Sequence, residues 1–251
     1  MNELTNLWLV ASYQATSMFS LKPASSTSSG GKTLLCPTPF ALKMALLDVA
    51  LRHYGEDKGK PLFEPIKKLR IAFKPPEQAV VNNTFTKILR PHKAGPKDAK
   101  GTGLMTPMGN TIAFREYVSF KGDLSFAFQG MAIEELLPLL IRVNYLGKRG
   151  GFVQIQSPPQ AISSTDEEMK VSNYTVLTES TAEFSINGLL QMLDDCGPKM
   201  TFDQVNVYNS GKGSTIRLGS GPKDRILRHI VLPYRLVRSS KGYSYYERID
   251  A

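Results

Sequence analysis

Cysteine is nearly missing from this chain: Cys36 and Cys196 are the only two among 251 residues. That scarcity excludes a disulfide scaffold and a cysteine-based zinc cluster, and it fits a reducing compartment. Histidine is almost as rare, with His53, His92 and His229 alone, and none of them forms a close motif with a tyrosine and a lysine. No apolar run reaches the length of a membrane span. The opening "MNELTNLWLVASYQ" lacks the basic start and the small-residue cleavage site of a secretory signal. The expectation is a soluble cytoplasmic protein with no membrane partner, no cofactor and no metal. Acidic side chains are also in deficit, 22 against 31 lysines and arginines, for a net charge of +9. Such a chain is attracted to polyanions. Residues 161 to 203 run the other way, with eight acidic side chains and two basic ones, so the rest is more strongly positive than the total.

The stretch "SSTSSGGKTLLCPTPF" looks at first like a phosphate-cradling loop, because Gly31-Lys32-Thr33 precedes a helical pattern. The loop needs a further glycine five residues before Gly31, where its backbone amides must curl around phosphate, and that position is Ser26. Pro37 and Pro39 then forbid a helix that starts at Lys32. A nucleotide-binding loop is therefore excluded. The same residues predict a later helix, capped by Thr38, opened by Pro39 and running from about Phe40 to His53. It is apolar nearly all round, with Asp48 and Arg52 paired four residues apart, which is the pattern of a helix packed into a core. Lys43 falls in its first turn, where the helix dipole prefers an anion. Either its stem snorkels over the core or a phosphate sits beside it.

The order of the elements predicts an α+β fold. "LWLVASYQAT" is a first strand, the core helix follows, and "LRIAFK" is a second strand. From Lys74 to Asn110 the composition turns to Pro, Gly, Asn and Lys, with a possible strand at "AVVNNTFTKIL", an excursion too long for an ordinary connection. "TIAFREYVSF" and "DLSFAFQ" follow as strands, then a helix at "AIEELLPLLIRV" kinked or shortened by Pro138, the loop "NYLGKRGG" and the strand "FVQIQ". This approximates a ferredoxin-like (RRM-like) module over residues 1–157 with an insertion at about 74–110. Residues 158–251 form a smaller β-rich C-terminal part, with a possible helix near "INGLLQMLDD" and strand-like runs at "FDQVNVY" and "RILRHIVLPYRLV".

Alternation in "TIAFREYVSF" places Ile112, Phe114, Val118 and Phe120 on one face and Arg115, Tyr117 and Ser119 on the other, with Glu116 needing a partner on the apolar side. The next strand repeats the pattern with Leu124, Phe126 and Phe128 against Ser125, Ala127 and Gln129. One face is expected to be core and the other open. An open face with an arginine and an aromatic ring suits single-stranded nucleic acid, and equally suits an ordinary cross-strand surface pair. Lys148 and Arg149 lie in a glycine-flanked turn, and Lys212 and Arg217 in "GKGSTIRLGSG". Lys87, Arg90 and Lys93 add basic side chains in the excursion. With Lys32 and Lys43 these residues, Arg115 and Tyr117 make the candidate RNA-binding set. No helix-turn-helix signal points to a DNA-binding regulator.

"PTPFALKMALLDVAL", "FREYVSFKGDLSFAF" and "NYLGKRGG", in that order, resemble the CRISPR-associated Cas-five family of the repeat-associated RNA-binding superfamily. The resemblance spans roughly residues 7 to 155, and Gly211, Gly213 and Gly219 are similar to the glycine-rich loop of the wider superfamily. It implies a non-catalytic subunit that holds the 5′ handle of crRNA in a type I-like, Cascade-type complex serving antiviral defence, with the 74–110 insertion as a thumb. The implied partners are crRNA and the backbone and large subunits of the complex, with target DNA within the complex left open. One branch of the family trims precursor crRNA, so a metal-independent endoribonuclease is the alternative function.

Overall fold

The computed structural model describes residues 7–24, 31–91, 108–147, 150–182, 187–206, 216–219 and 221–250. In chain order the elements are β1 (Leu7–Ala15), α1 (Pro39–Gly59), α2 (Phe63–Lys68), β2 (Arg70–Lys74), β3 (Gln78–Pro91), β4 (Met108–Lys121), β5 (Leu124–Gln129), α3 (Ile133–Ile141), β6 (Val153–Ile155), β7 (Gln160–Ser163), α4 (Asp166–Val171), β8 (Thr175–Val176), β9 (Leu189–Cys196), α5 (Phe202–Val205), β10 (Arg225–Leu232), β11 (Tyr234–Ser239) and β12 (Tyr243–Arg248). The fold is mixed α and β, built on antiparallel sheets.

The main sheet has the order β6-β1-β5-β2-β8, with β7 following β6 along the same edge of β1. One face carries Leu9, Tyr13, Ile71, Phe73, Phe126 and Phe128, which join the principal core with residues of α1 and α3. Phe126 is fully buried, and its ring stacks on Phe73 with centroids 4.9 Å apart. The opposite face is also covered. Trp8, Ala72 and Ala127 pack with Met169 of α4, and Ile162, Tyr174 and Val176 lie against them. Arg70 holds this layer in place: its guanidinium lies 5.3 Å from the Trp8 ring, donates twice to Asp166 at 2.7 and 2.8 Å, and donates from Nε to Glu179. Ser125 and Ala127, expected on an open face, are thus buried beneath residues 162–176.

The β3–β4 hairpin belongs to a different, four-stranded sheet of order β11-β12-β3-β4. "TIAFREYVSF" and "DLSFAFQ", read as successive strands of one module, therefore part company at Lys121, and the strand that completes the main sheet after β2 is β5. The chain beyond residue 157 returns to both large sheets, with β7 on β1, β8 on β2 and β12 on β3, so the two expected parts share sheets.

The structure bears out the expected start of α1. Thr38 accepts from the Ala41 amide at 3.1 Å, Pro39 opens the helix, and Arg52 meets Asp48 at 2.8 Å. The helix passes His53 and is interrupted at Gly55, whose φ of 76° is open to glycine at little cost. Pro138 lies inside α3, which ends at Ile141. Two C-terminal expectations are overturned. "INGLLQMLDD" supplies β9 rather than a helix, because β9 finds ladder partners along its whole length on β10, and those backbone bonds outweigh a weak helical spacing. "FDQVNVY" opens with the short helix α5 rather than a strand. The Thr201 amide donates to Gln204 Oε1 at 3.0 Å, a helix-start signal present in the sequence as T-x-x-Q.

Candidate nucleic-acid interface

In the β3–β4 hairpin directly opposed residues share a face. Val81 faces Val118, and Ala79 faces Phe120, on the side turned toward the core. Asn82 faces Tyr117 and Thr84 faces Arg115 on the outward side, where Arg115 and Tyr117 are half-buried and Ser119 is exposed. The expected two-faced strand is present at its inner end. Farther out the inward series leaves the core: Phe85, Ile112 and Phe114 are exposed, and the Phe85 and Phe114 rings pair across the strands at 3.9 Å. The placement of Ile112 and Phe114 in the core is thereby corrected, because the hairpin outruns the body that would bury them.

The outer edge of β4 is closed by the first loop. Phe19 and Val118 exchange backbone bonds, and Glu116 donates its amide to the Gly31 carbonyl at 2.8 Å. Glu116 finds its partner here too, its carboxylate accepting from the Thr33 amide at 2.8 Å. A Cβ on Gly31 would come within 2.9 Å of the Phe114 carbonyl and 3.1 Å of Arg115 Cδ, so the loop can lie this close only as glycine. Gly31-Lys32-Thr33 thus serves as an edge seal on β4, and it leaves Lys32 exposed one residue from the backbone that touches Arg115. Lys32, Arg115 and Tyr117 are the members of the predicted set that the fold brings together.

Others it separates. Lys43 is buried, with its Nζ 2.6 Å from Asp195 Oδ1, and Asp195 Oδ2 lies 3.9 Å from Arg228 Nε. A cation removed from water needs such a partner, so Lys43 is an internal ion-pair residue and no RNA ligand, and its stem does not reach solvent. Lys87 is exposed on the other face of the hairpin, opposite Ile112, turned away from Arg115. Arg217 is exposed beside the start of β10, where its amide donates to Asp224. Lys93, Lys148, Arg149, Lys212 and the Arg90 side chain lie outside the described residues, as do Gly211, Gly213 and His92. Of the remaining histidines, His53 is exposed against the Tyr54 ring, and His229 is exposed on β10. Among the described residues no group of His, Cys, Asp or Glu could hold a metal ion. No described helix is long and apolar enough to cross a membrane. Both cysteines are buried, and burial pushes the Cys196 thiol up to about 12 and the Cys36 thiol higher still.

The acidic segment is largely consumed within the fold. Asp166 and Glu179 hold Arg70, Asp194 accepts from Arg225 at 3.0 Å, and Asp195 meets Lys43. Glu168 closes a capping box at the start of α4 by accepting from the Thr165 amide.

No family model matches the chain. A protein of Archaeoglobus fulgidus described as CRISPR-associated protein Cas5 is 24% identical over 212 residues, covering 83% of this chain and 88% of that one. Over most of its length the chain is thus similar to a CRISPR-associated Cas5 protein. Among solved structures, a CRISPR protein crystal structure from Archaeoglobus fulgidus aligns at a TM-score of 0.46 with 14% identity, covering 97% of this chain and 92% of that chain. A chain of a CRISPR RNA-guided surveillance complex aligns at 0.44 with 14% identity, covering 89% and 87%.

Sequence reasoning missed the residues that β12 adds to the outward face. Tyr243 pairs with Asn82 and Tyr245 with Val80, which sets both rings on the side of Tyr117. The signal was available as alternation in "GYSYYER", whose odd positions are Tyr243, Tyr245 and Glu247. What the sequence could not give was the strand against which it would pair.

Proposed function

We propose that this chain is a Cas5-family protein, a non-catalytic subunit of a type I-like, Cascade-type CRISPR complex that binds the 5′ handle of crRNA in the cytoplasm. The observation that carries the reading is the grouping of Lys32, Arg115 and Tyr117 at the root of the β3–β4 hairpin: Arg115 and Tyr117 share the outward, half-buried face of β4 and exposed Lys32 lies on the loop sealing its edge, two cations for phosphate and a ring for a base. The succession β1-α1-β2-β5-α3-β6, with sheet order β6-β1-β5-β2, supports a ferredoxin-like module, and the β3–β4 hairpin is then the inserted thumb between its second and third strands. Lys148 and Arg149, in the glycine-flanked run after Leu146, would extend the phosphate contacts, and the backbone and large subunits would be the protein partners.

The test is purification with the native partners, sequencing of the RNA that comes with them, and a salt titration of handle RNA on the isolated chain. The expected outcome is a steep salt dependence whose log–log slope becomes shallower by about 0.7 for each phosphate that Lys32→Ala or Arg115→Ala no longer neutralises. Precursor crRNA incubated with the chain and a chelator should remain uncut. Binding unaffected by both substitutions refutes the site, and a defined cut abolished by His53→Ala or His229→Ala refutes the non-catalytic reading.

A further inference from the structure

The C-terminal hairpin of β11 and β12 lies outside the group formed by Lys32, Arg115 and Tyr117, yet it continues the same surface. Register fixes its geometry. Tyr243 lies beside Asn82 and, across β3, Tyr117; Tyr245 lies beside Val80 and Ser119, with Arg238 on its other flank; Glu247 lies beside Gln78 and Lys121, with Arg235 on its other flank. The inner face of β12 is accounted for separately, since Tyr246 packs on the core with its ring against buried Tyr234. The outward face is thus one plane with three tyrosines in two adjacent rows and cations around them. Tyr243 and Tyr245 are half-buried, and Arg235, Arg238 and Lys121 are exposed.

The charge on this plane is predominantly positive. Its described strand residues include the cations Arg115, Lys121, Arg235 and Arg238 and a single carboxylate, Glu247. Glu247 is engaged locally, accepting from the Tyr245 hydroxyl at 2.6 Å and from Arg235 at 3.2 Å. The first of these bonds holds the Glu247 carboxyl below its usual range and the Tyr245 phenol above its own, so the hydroxyl stays protonated and fixes the ring. Adjacent outward residues on one strand are about 7 Å apart, comparable to one nucleotide step of an extended strand. The main sheet offers no competing platform, because α4 and Tyr174 close it.

We infer that the outward face of β11 and β12 is a stacking platform for two consecutive bases of single-stranded RNA, with Tyr243 and Tyr245 as the rings and Arg235 and Arg238 as phosphate contacts. Stacking on rings tolerates any base, so this segment is held without sequence readout, and it continues the strand that leaves Arg115 and Tyr117. The inference rests on the handle-binding reading and extends its site by one hairpin.

The test uses the full chain and a handle-containing RNA whose uridines are replaced one at a time by 5-iodouridine. Irradiation should crosslink neighbouring nucleotides to Tyr243 and Tyr245, identified by mass spectrometry. In fluorescence anisotropy Tyr243→Ala and Tyr245→Ala should each weaken binding about tenfold. Tyr243→Phe and Tyr245→Phe, which keep the ring, should bind as the parent does and serve as the check on folding. Arg238→Gln should lower the log–log salt slope by about 0.7. Full affinity in both alanine variants, while Arg115→Ala still weakens binding, overturns this platform and leaves the handle site standing. Failure of the parent chain to bind handle RNA overturns both. Tighter capture of single-stranded DNA of the same sequence on the same tyrosines overturns the assignment to RNA.

Discussion

The two large sheets of this protein differ in what lies on their second face. In the main sheet Trp8, Ala72 and Ala127 are sealed under α4, and Arg70 is spent on Asp166, Glu179 and the Trp8 ring. In the four-stranded sheet the outward face holds Arg115, Tyr117, Tyr243 and Tyr245, all half-buried rather than sealed. An arginine beside an aromatic ring on a strand is therefore tied to carboxylates over a sealed ring in one sheet and only half-buried in the other. The residue types alone do not distinguish the cases. The presence of a carboxylate-bearing helix above the first pair does, because it supplies both the cover and the countercharge.

The sharpest way to break this division is at the buried cation. Lys43→Ala should destabilise the fold by about 3–5 kcal/mol by leaving Asp195 without its nearest partner, measured by equilibrium denaturation. The salt slope of RNA binding by the folded fraction should not move. Unchanged stability with weakened RNA binding would return Lys43 to the interface.

A smaller effect is expected at the cover. Arg70→Ala should cost about 1 kcal/mol, since Asp166 and Glu179 are half open to water and screened. The Arg70 guanidinium holds the Asp166 carboxyl below its ordinary value, chiefly through their hydrogen bonds. A depressed carboxylate stabilises the fold above its unfolded value of about 3.9, and that contribution is lost as pH falls through the lower folded value. The protection factors of the α4 amides against hydrogen exchange should accordingly fall below about pH 4 in the parent chain. In Arg70→Ala the acid-dependent component should be absent, and an identical acid profile in both would detach α4 from Arg70.

The least costly change should be on the projecting hairpin. Phe114→Ser removes one ring of the exposed Phe85–Phe114 pair and should lower stability by less than about 1 kcal/mol. A destabilisation comparable to that at Lys43, read by thermal denaturation, would mean that this end of the hairpin is packed rather than projecting.

What the sequence determined by itself was local. Thr38 with Pro39 set the start of α1, and Asp48 with Arg52 marked its solvent stripe. Alternation in β4 and β5 divided each strand into two faces, because caps, i,i+4 pairs and the period of two depend on neighbours within a few residues. The family motifs were legible for the same reason, as short runs in fixed order. Three matters were left to the tertiary structure. Alternation says that a strand has two faces and not which will be covered, so Ser125 and Ala127 were expected in the open until residues 162–176 closed over them. Lys43 and Asp195 are 152 residues apart, and only the packing of β9 on α1 turned a suspected phosphate ligand into half of a buried ion pair. Tyr243 and Tyr245 came to stand beside Tyr117 through the pairing of β12 with β3, a long-range ladder whose partner no local pattern names.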